Sequence, residues 1–198
     1  YANAVSPSYG GQIRNYQDVV AELTTGIEKS GMQKDVFLVR GSDLNGLAGL
    51  LEGDVISFKE AEQLLNAGDI GTLKSIIEKQ SFQSHSFMST GIADGTGFGG
   101  NVAYKIYAPA GTKAIYAEPA SYYGNTISGE HIYKSGATYS GVGGEAEIII
   151  QRGTTFRVTS IEKTGSSSYV VNMEVVDQPD YFKTGYEHTF DGGLTSEG

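Results

Sequence analysis

Val102-Ala103-Tyr104-Lys105-Ile106-Tyr107-Ala108, then Pro109-Ala110-Gly111, then Lys113-Ala114-Ile115-Tyr116-Ala117 after Thr112, mark where the chain changes character. Val102, Tyr104, Ile106 and Ala108 alternate with Ala103, Lys105 and Tyr107, so apolar side chains recur every second residue. That is the period of a half-buried strand. Pro109-Ala110-Gly111 turns the chain, and Lys113 to Ala117 returns as a second strand. Before residue 80 the period is helical. Tyr16, Val19, Val20, Leu23 and Ile27 share one helical face, and Gly31 stops the run. Val36 to Val39 form a short strand ending in Arg40-Gly41. A helix opens at Ser57, with Glu60 three residues on as a capping box, and buries Phe58, Ala61, Leu64 and Leu65. Asp69 caps a further helix with the face Ile70, Leu73, Ile76 and Ile77. After the turn at 109–111, strands are expected at 145–151, 155–161 and 169–176. Helices first and strands later predict an α+β fold with a largely antiparallel sheet.

The chain has 198 residues, enough for one good core. Residues 1–15 read as a loose N-terminal segment, 16–176 as one domain, and 177–198 as an irregular tail. Tyr1 is not Met and no basic-then-apolar leader follows, as expected of a processed chain or a piece of a larger one. Fourteen basic and 23 acidic residues give a net charge of −9, which argues against a nucleic-acid partner. No apolar run approaches the roughly 20 residues of a membrane span. There are no cysteines, which excludes disulfides and thiol chemistry. The 28 glycines are an excess, and four of them fall in 135–144, expected to be a mobile loop.

Gly95 to Gly100 fits the G-x-G-x-x-G pattern, but a strand follows it where a dinucleotide fingerprint needs a helix. It reads as a glycine loop. His85, His131 and His188 share no ligand spacing, so no metal is expected. Glu145 and Glu147 fall on one face of a strand, about 7 Å apart from a rise of about 3.4 Å per residue. They read equally as a functional carboxylate pair or as a solvated strand end. Arg40, one of four arginines, ends a buried-looking strand. It faces either a specific anion or a structural carboxylate. Phe87-Met88-Ser89-Thr90-Gly91 puts two hydroxyls at a strand-to-loop junction.

Taken in order, Leu38-Val39-Arg40-Gly41, Phe87-Met88-Ser89-Thr90, Gly111-Thr112-Lys113-Ala114 and the run from Glu145 to Gly153 resemble the mono-ADP-ribosyltransferase toxins. The likeness extends from about Tyr16 to Val176, and is nearest to the clostridial binary actin-modifying toxins, vegetative insecticidal proteins and Rho-modifying exoenzymes. It implies two packed sheets with NAD in the cleft between them and helices at the N-terminal side. Residues 16–176 would then be a single ADP-ribosyltransferase catalytic domain. The resemblance implies a role for each matching residue. Arg40 clamps the NAD phosphates, and the Gly41 backbone holds the nicotinamide amide. Ser89 orients the catalytic Glu147, and Ser89, Thr90 and Glu147 are implied to contact NAD. Phe98 covers the nicotinamide and phosphate, and the 135–144 loop recognises the target protein. Glu145 resembles the arginine-modifying branch, where Gln marks asparagine-modifying enzymes. The chemistry suits these residue types. Leaving nicotinamide builds positive charge on the ribose, which a carboxylate stabilises. A guanidinium acceptor must lose a proton, which a second carboxylate assists.

The implied function is transfer of ADP-ribose from NAD to an arginine of a protein acceptor, with actin the first expectation, and with NAD hydrolysis alongside. The chain would be secreted or delivered into a target cell, with no metal. It departs from the pattern in length, the segment between Tyr122-Tyr123-Gly124 and Glu145 being longer than in the binary toxins, and in residue type at three places. Gly91 stands where a third hydroxyl is usual. Gly99-Gly100-Asn101 lacks the basic residue found near the phosphate. Val142 stands where an aromatic residue is usual, with Tyr139 or Tyr133 as substitutes from elsewhere in the loop. A catalytically inactive binding module and a plain NAD glycohydrolase are the competing readings.

Overall fold

Capped starts and apolar spacing define the helices. The computed structural model describes residues 5–7, 13–92, 100–117, 130–132, 138–140, 147–183, 187–188 and 194–195. Helix α1 (Tyr16–Glu28) buries Ile27 completely. Helix α2 (Leu44–Leu51) starts at Asp43, whose carboxylate accepts the Gly46 amide at 2.6 Å. Helix α3 (Phe58–Ala67) starts at Ser57, whose hydroxyl accepts the Glu60 amide at 3.3 Å. It ends on Gly68, in the left-handed conformation at φ 68°. Helix α4 (Ile70–Ile77) starts at Asp69, which accepts from the amide and the hydroxyl of Thr72. The caps at Ser57 and Asp69 agree with the sequence. Helix α2 is an addition to it. Gly46 and Gly49 each cost about 1 kcal/mol of helix propensity and obscure the period. Burial of Leu47, Ala48 and Leu51, all fully inaccessible, outweighs that cost.

A five-stranded sheet runs in the spatial order β3 (Val36–Ser42), β6 (Val102–Ala108), β12 (Tyr169–Asp177), β11 (Thr154–Lys163) and β4 (Ser81–Ser84). Its pairs are antiparallel except β6 with β12, which is parallel. A second sheet runs β5 (Met88–Thr90), β10 (Ile148–Ile150) and β7 (Ala114–Tyr116), all antiparallel. Three short ladders stand apart. They are β1 (Val5–Pro7) with β2 (Ile13–Asn15), β8 (Glu130–Ile132) with β9 (Thr138–Ser140), and β13 (Glu187–His188) with β14 (Leu194–Thr195). Residues 138–140 of the expected glycine loop therefore pair as a strand. The rest of 135–144 lies outside the described residues. The α+β class with two sheets and helices holds. No described helix is long and apolar enough to cross a membrane.

One core joins these layers. Leu47, Leu51, Leu65 and Ile77 from the helices pack with Leu38, Ile106, Phe156 and Val171 from the large sheet, and with Met88 and Ile148 from the small one. The two sheets meet where Val39 and Gly91 exchange both backbone hydrogen bonds at 2.8 Å. A polar cluster fixes the far end of β10. Gln151 donates from Nε2 to the Thr24 carbonyl and to Glu28 Oε1, both at 3.1 Å. Lys113 Nζ donates to Glu28 Oε2 at 2.6 Å and to the Pro179 carbonyl at 2.9 Å. The Glu28 side chain is only 1% exposed, so these donors replace the water it has lost.

Candidate active site

Arg40, Ser89 and Glu147 are far apart in sequence and adjacent in space. The Val39–Gly91 bridge brings the end of β3 against the end of β5. Arg40 Nη1 then donates to the Ser89 carbonyl at 2.7 Å. Antiparallel pairing sets Ser89 opposite Ile149, and Glu147 immediately precedes β10. Ser89 Oγ donates to Glu147 Oε1 at 2.5 Å. The Glu147 carbonyl accepts from the Ala117 amide at 2.8 Å, which pins its backbone on the other side. A guanidinium thus fixes the backbone of a serine whose hydroxyl orients a half-buried carboxylate.

Thr90 faces the other way. Successive strand residues point to opposite faces, and Thr90 Oγ1 donates to the Ile148 carbonyl at 2.7 Å. Thr90 is 3% exposed. The hydroxyl is therefore committed inside the small sheet, where it serves the β5–β10 pairing, on the face opposite to Ser89 Oγ. Gly41 lies in β3 opposite Ala103. Phe98, Tyr133, Val142 and Glu145 lie outside the described residues. Tyr139 belongs to β9, and nothing is described of its side chain.

Beside Arg40 opens a cleft of about 320 Å³, within the lower range of ligand sites. Gly46 and Gly49 of α2 form one wall, the 83–88 segment another, and Ser42 and Tyr104 complete the lining. Ser89 and Glu147 are not among the lining residues, so Arg40 is the link between the cleft and the carboxylate. A Cβ at Gly46 would overlap the Ser42 hydroxyl, and one at Gly100 would overlap the Ser42 backbone. Both glycines allow close approach around the end of β3. Among the described lining residues Arg40 is the sole permanent cation, and no carboxylate is present. The site suits an anion.

Tyr104, Ser42 and the α2 wall were not singled out in the sequence. The available signal was a tyrosine at an inward position of β6, directly across from Arg40. Burial pushes the Tyr104 hydroxyl up to about 12, opposed by Ser42 and by the Arg40 charge and reinforced by the Asp43 charge.

The family model described as ADP-ribosyltransferase exoenzyme matches residues 8–178. No curated protein sequence is significantly similar to the chain. Among solved structures, C3stau2 from S. aureus, crystallised with NAD, is 19% identical, with a TM-score of 0.58. That match covers 81% of this chain and 71% of that one. An ADP-ribosyltransferase from Clostridium botulinum is 16% identical, with a TM-score of 0.54 over 79% of this chain and 67% of its own. The ADP-ribosylating toxin BECa of C. perfringens, with NADH, is 13% identical at a TM-score of 0.53, over 85% and 38%. At these identities the solved structures speak for the fold.

Proposed function

This chain belongs to the ADP-ribosyltransferase exoenzyme family, and from that premise we propose that it transfers ADP-ribose from NAD to an arginine of a protein acceptor. The observation that carries the reading is the hydrogen-bonded chain from Arg40 through Ser89 to Glu147. Arg40 holds the NAD phosphates, for which a planar guanidinium offers a bidentate fork. One of its donors is spent on the Ser89 carbonyl, which keeps the group in place. Glu147 stands at the ribose, where its carboxylate stabilises the positive charge that grows as nicotinamide leaves. Gly41 holds the nicotinamide amide and Phe98 covers it, as the family resemblance implies.

The bond from ribose C1′ to the nicotinamide nitrogen breaks, and its electron pair leaves with nicotinamide. A new bond forms from C1′ to an arginine nitrogen, and the guanidinium gives up one proton, which Glu145 accepts and passes to water. Nicotinamide, a proton and ADP-ribosylated arginine are the products. Water in place of arginine gives NAD hydrolysis. The arginine assignment is supported by Glu145, two residues before Glu147. Tyr139 and Val142 belong to the acceptor-facing loop. Actin is the first acceptor to test, and family membership supports secretion and action within a target cell.

The experiment is to incubate the protein with tagged NAD and a eukaryotic lysate, then identify the labelled band and residue. Label on arginine is expected. Glu145→Gln should lose that label and keep much of the nicotinamide release. Label confined to another residue type would refute the arginine assignment, and nicotinamide release without any labelled protein would favour a plain glycohydrolase.

A further inference from the structure

The cleft beside Arg40 contains a polar atom that the fold does not use. Tyr104 pairs directly with Arg40 across the β3–β6 ladder, so both side chains rise from one face of the sheet, and both line the cleft. Tyr104 is 2% exposed, yet among the described residues its hydroxyl has no partner at full hydrogen-bond geometry. The Ser42 hydroxyl lies near enough to act on it as a weak polar partner, but outside the distance and angle of a full hydrogen bond. Tyr169, the other buried tyrosine of this sheet, shows the ordinary solution: its hydroxyl donates to the Leu65 carbonyl at 2.8 Å. Packing alone does not explain the Tyr104 hydroxyl, because phenylalanine would fill nearly the same volume and leave nothing unmade. The phenol keeps its proton throughout the neutral range, since burial disfavours the phenolate. It is a donor awaiting an acceptor. The Asp43 carboxylate acts on it only through its charge, and no carboxylate lines the cleft among the described residues, so a bound anion would supply the missing acceptor.

We propose that Tyr104 is a second anchor for the NAD pyrophosphate, its hydroxyl donating to a phosphate oxygen that Arg40 also holds. The proposal rests on the NAD reading above. A neutral donor and a guanidinium side by side converge on an oxyanion more readily than on a nicotinamide or an adenine ring. The hydroxyl exposes less than 1 Å² in the open cleft. Binding therefore turns the neighbouring Ser42 side chain aside while Arg40 stays on the Ser89 carbonyl, a rotamer adjustment common on ligand entry.

The test compares wild type with Tyr104→Phe, using NAD and inorganic pyrophosphate as ligands. The variant should bind both at least about tenfold more weakly, the factor expected of one hydrogen bond to a charged oxygen. Its KM for NAD should rise while kcat is kept, since the contact is equal in ground and transition states. Its melting temperature should equal or exceed that of wild type, because an unmade buried bond is removed. Unchanged affinity for NAD would overturn the proposal and leave the NAD reading standing. Weaker affinity with a lowered melting temperature would overturn it too, by showing a structural role. Wild type that binds no NAD would overturn both.

Discussion

Removing the Ser89 hydroxyl isolates the contact that orients Glu147. Ser89 Oγ stands 2.5 Å from Glu147 Oε1, at the short end for a hydroxyl bonded to a carboxylate. Such charge-assisted bonds contribute about 1.5–3 kcal/mol. If that orientation matters only as charge develops on the ribose, Ser89→Ala lowers kcat for nicotinamide release by about 10- to 150-fold. KM for NAD should stay near the wild-type value, because Arg40 still donates to the Ser89 backbone carbonyl. Stability should be little affected, because the β5–β10 ladder is also backbone-made. Nicotinamide release measured over a range of NAD concentrations separates the two constants. In a Glu147→Gln background, Ser89→Ala should add little further loss, as expected of two residues acting as one unit. A kcat within about twofold of wild type would refute the orienting role.

Three further outcomes test the surrounding structure. Thr90→Val should lower stability by about 1 kcal/mol through loss of the bond to the Ile148 carbonyl, with KM for NAD unchanged; a raised KM would return Thr90 to the cleft. Lys113→Met should cost about 2–3 kcal/mol in urea unfolding, below the full penalty for breaking a buried pair because Lys113 is partly exposed and Gln151 still donates to Glu28; a loss under about 0.5 kcal/mol would contradict the locking role of that pair. Thr72 holds the Asp69 carboxyl below its ordinary value of 3.8, through its hydroxyl and its amide. The folded chain therefore binds that proton less readily than the unfolded one. The stability this contributes is present above 3.8 and is lost as pH falls through the lower folded value. Asp69→Asn keeps a capping oxygen and should flatten that part of the acid unfolding curve; an unchanged curve would contradict it.

The sequence was most legible where local rules suffice. The caps at Ser57 and Asp69 and the alternation from Val102 to Ala108 follow from local hydrogen bonding and side-chain period. Helix α2 was hidden by two glycines, of which Gly46 has a tertiary reason, making room for Ser42. Its signal was Asp43 ahead of Leu44, Leu47, Ala48 and Leu51. The parallel pairing of β6 with β12 joins segments more than sixty residues apart, beyond the reach of periodicity. At the site, the order Arg40, Ser89 and Glu147 was readable through family resemblance, and the contacts among them needed the fold. Thr90 shows what strand period adds to the resemblance. Strand period alone sets adjacent Ser89 and Thr90 on opposite faces, so both hydroxyls cannot serve one cleft. Tyr104 was unreadable for a different reason: a tyrosine inside a sheet is ordinary until its hydroxyl is found without a partner.

The most direct measurement is Glu147→Gln assayed for nicotinamide release, for transfer of label to protein, and for NAD binding. Gln is nearly isosteric and accepts the Ser89 hydroxyl through its carbonyl oxygen, but it lacks the negative charge that the developing ribose cation requires. Both activities should fall to background while the folded protein still binds NAD. Transfer of ADP-ribose at a wild-type rate by Glu147→Gln would contradict the account at its centre.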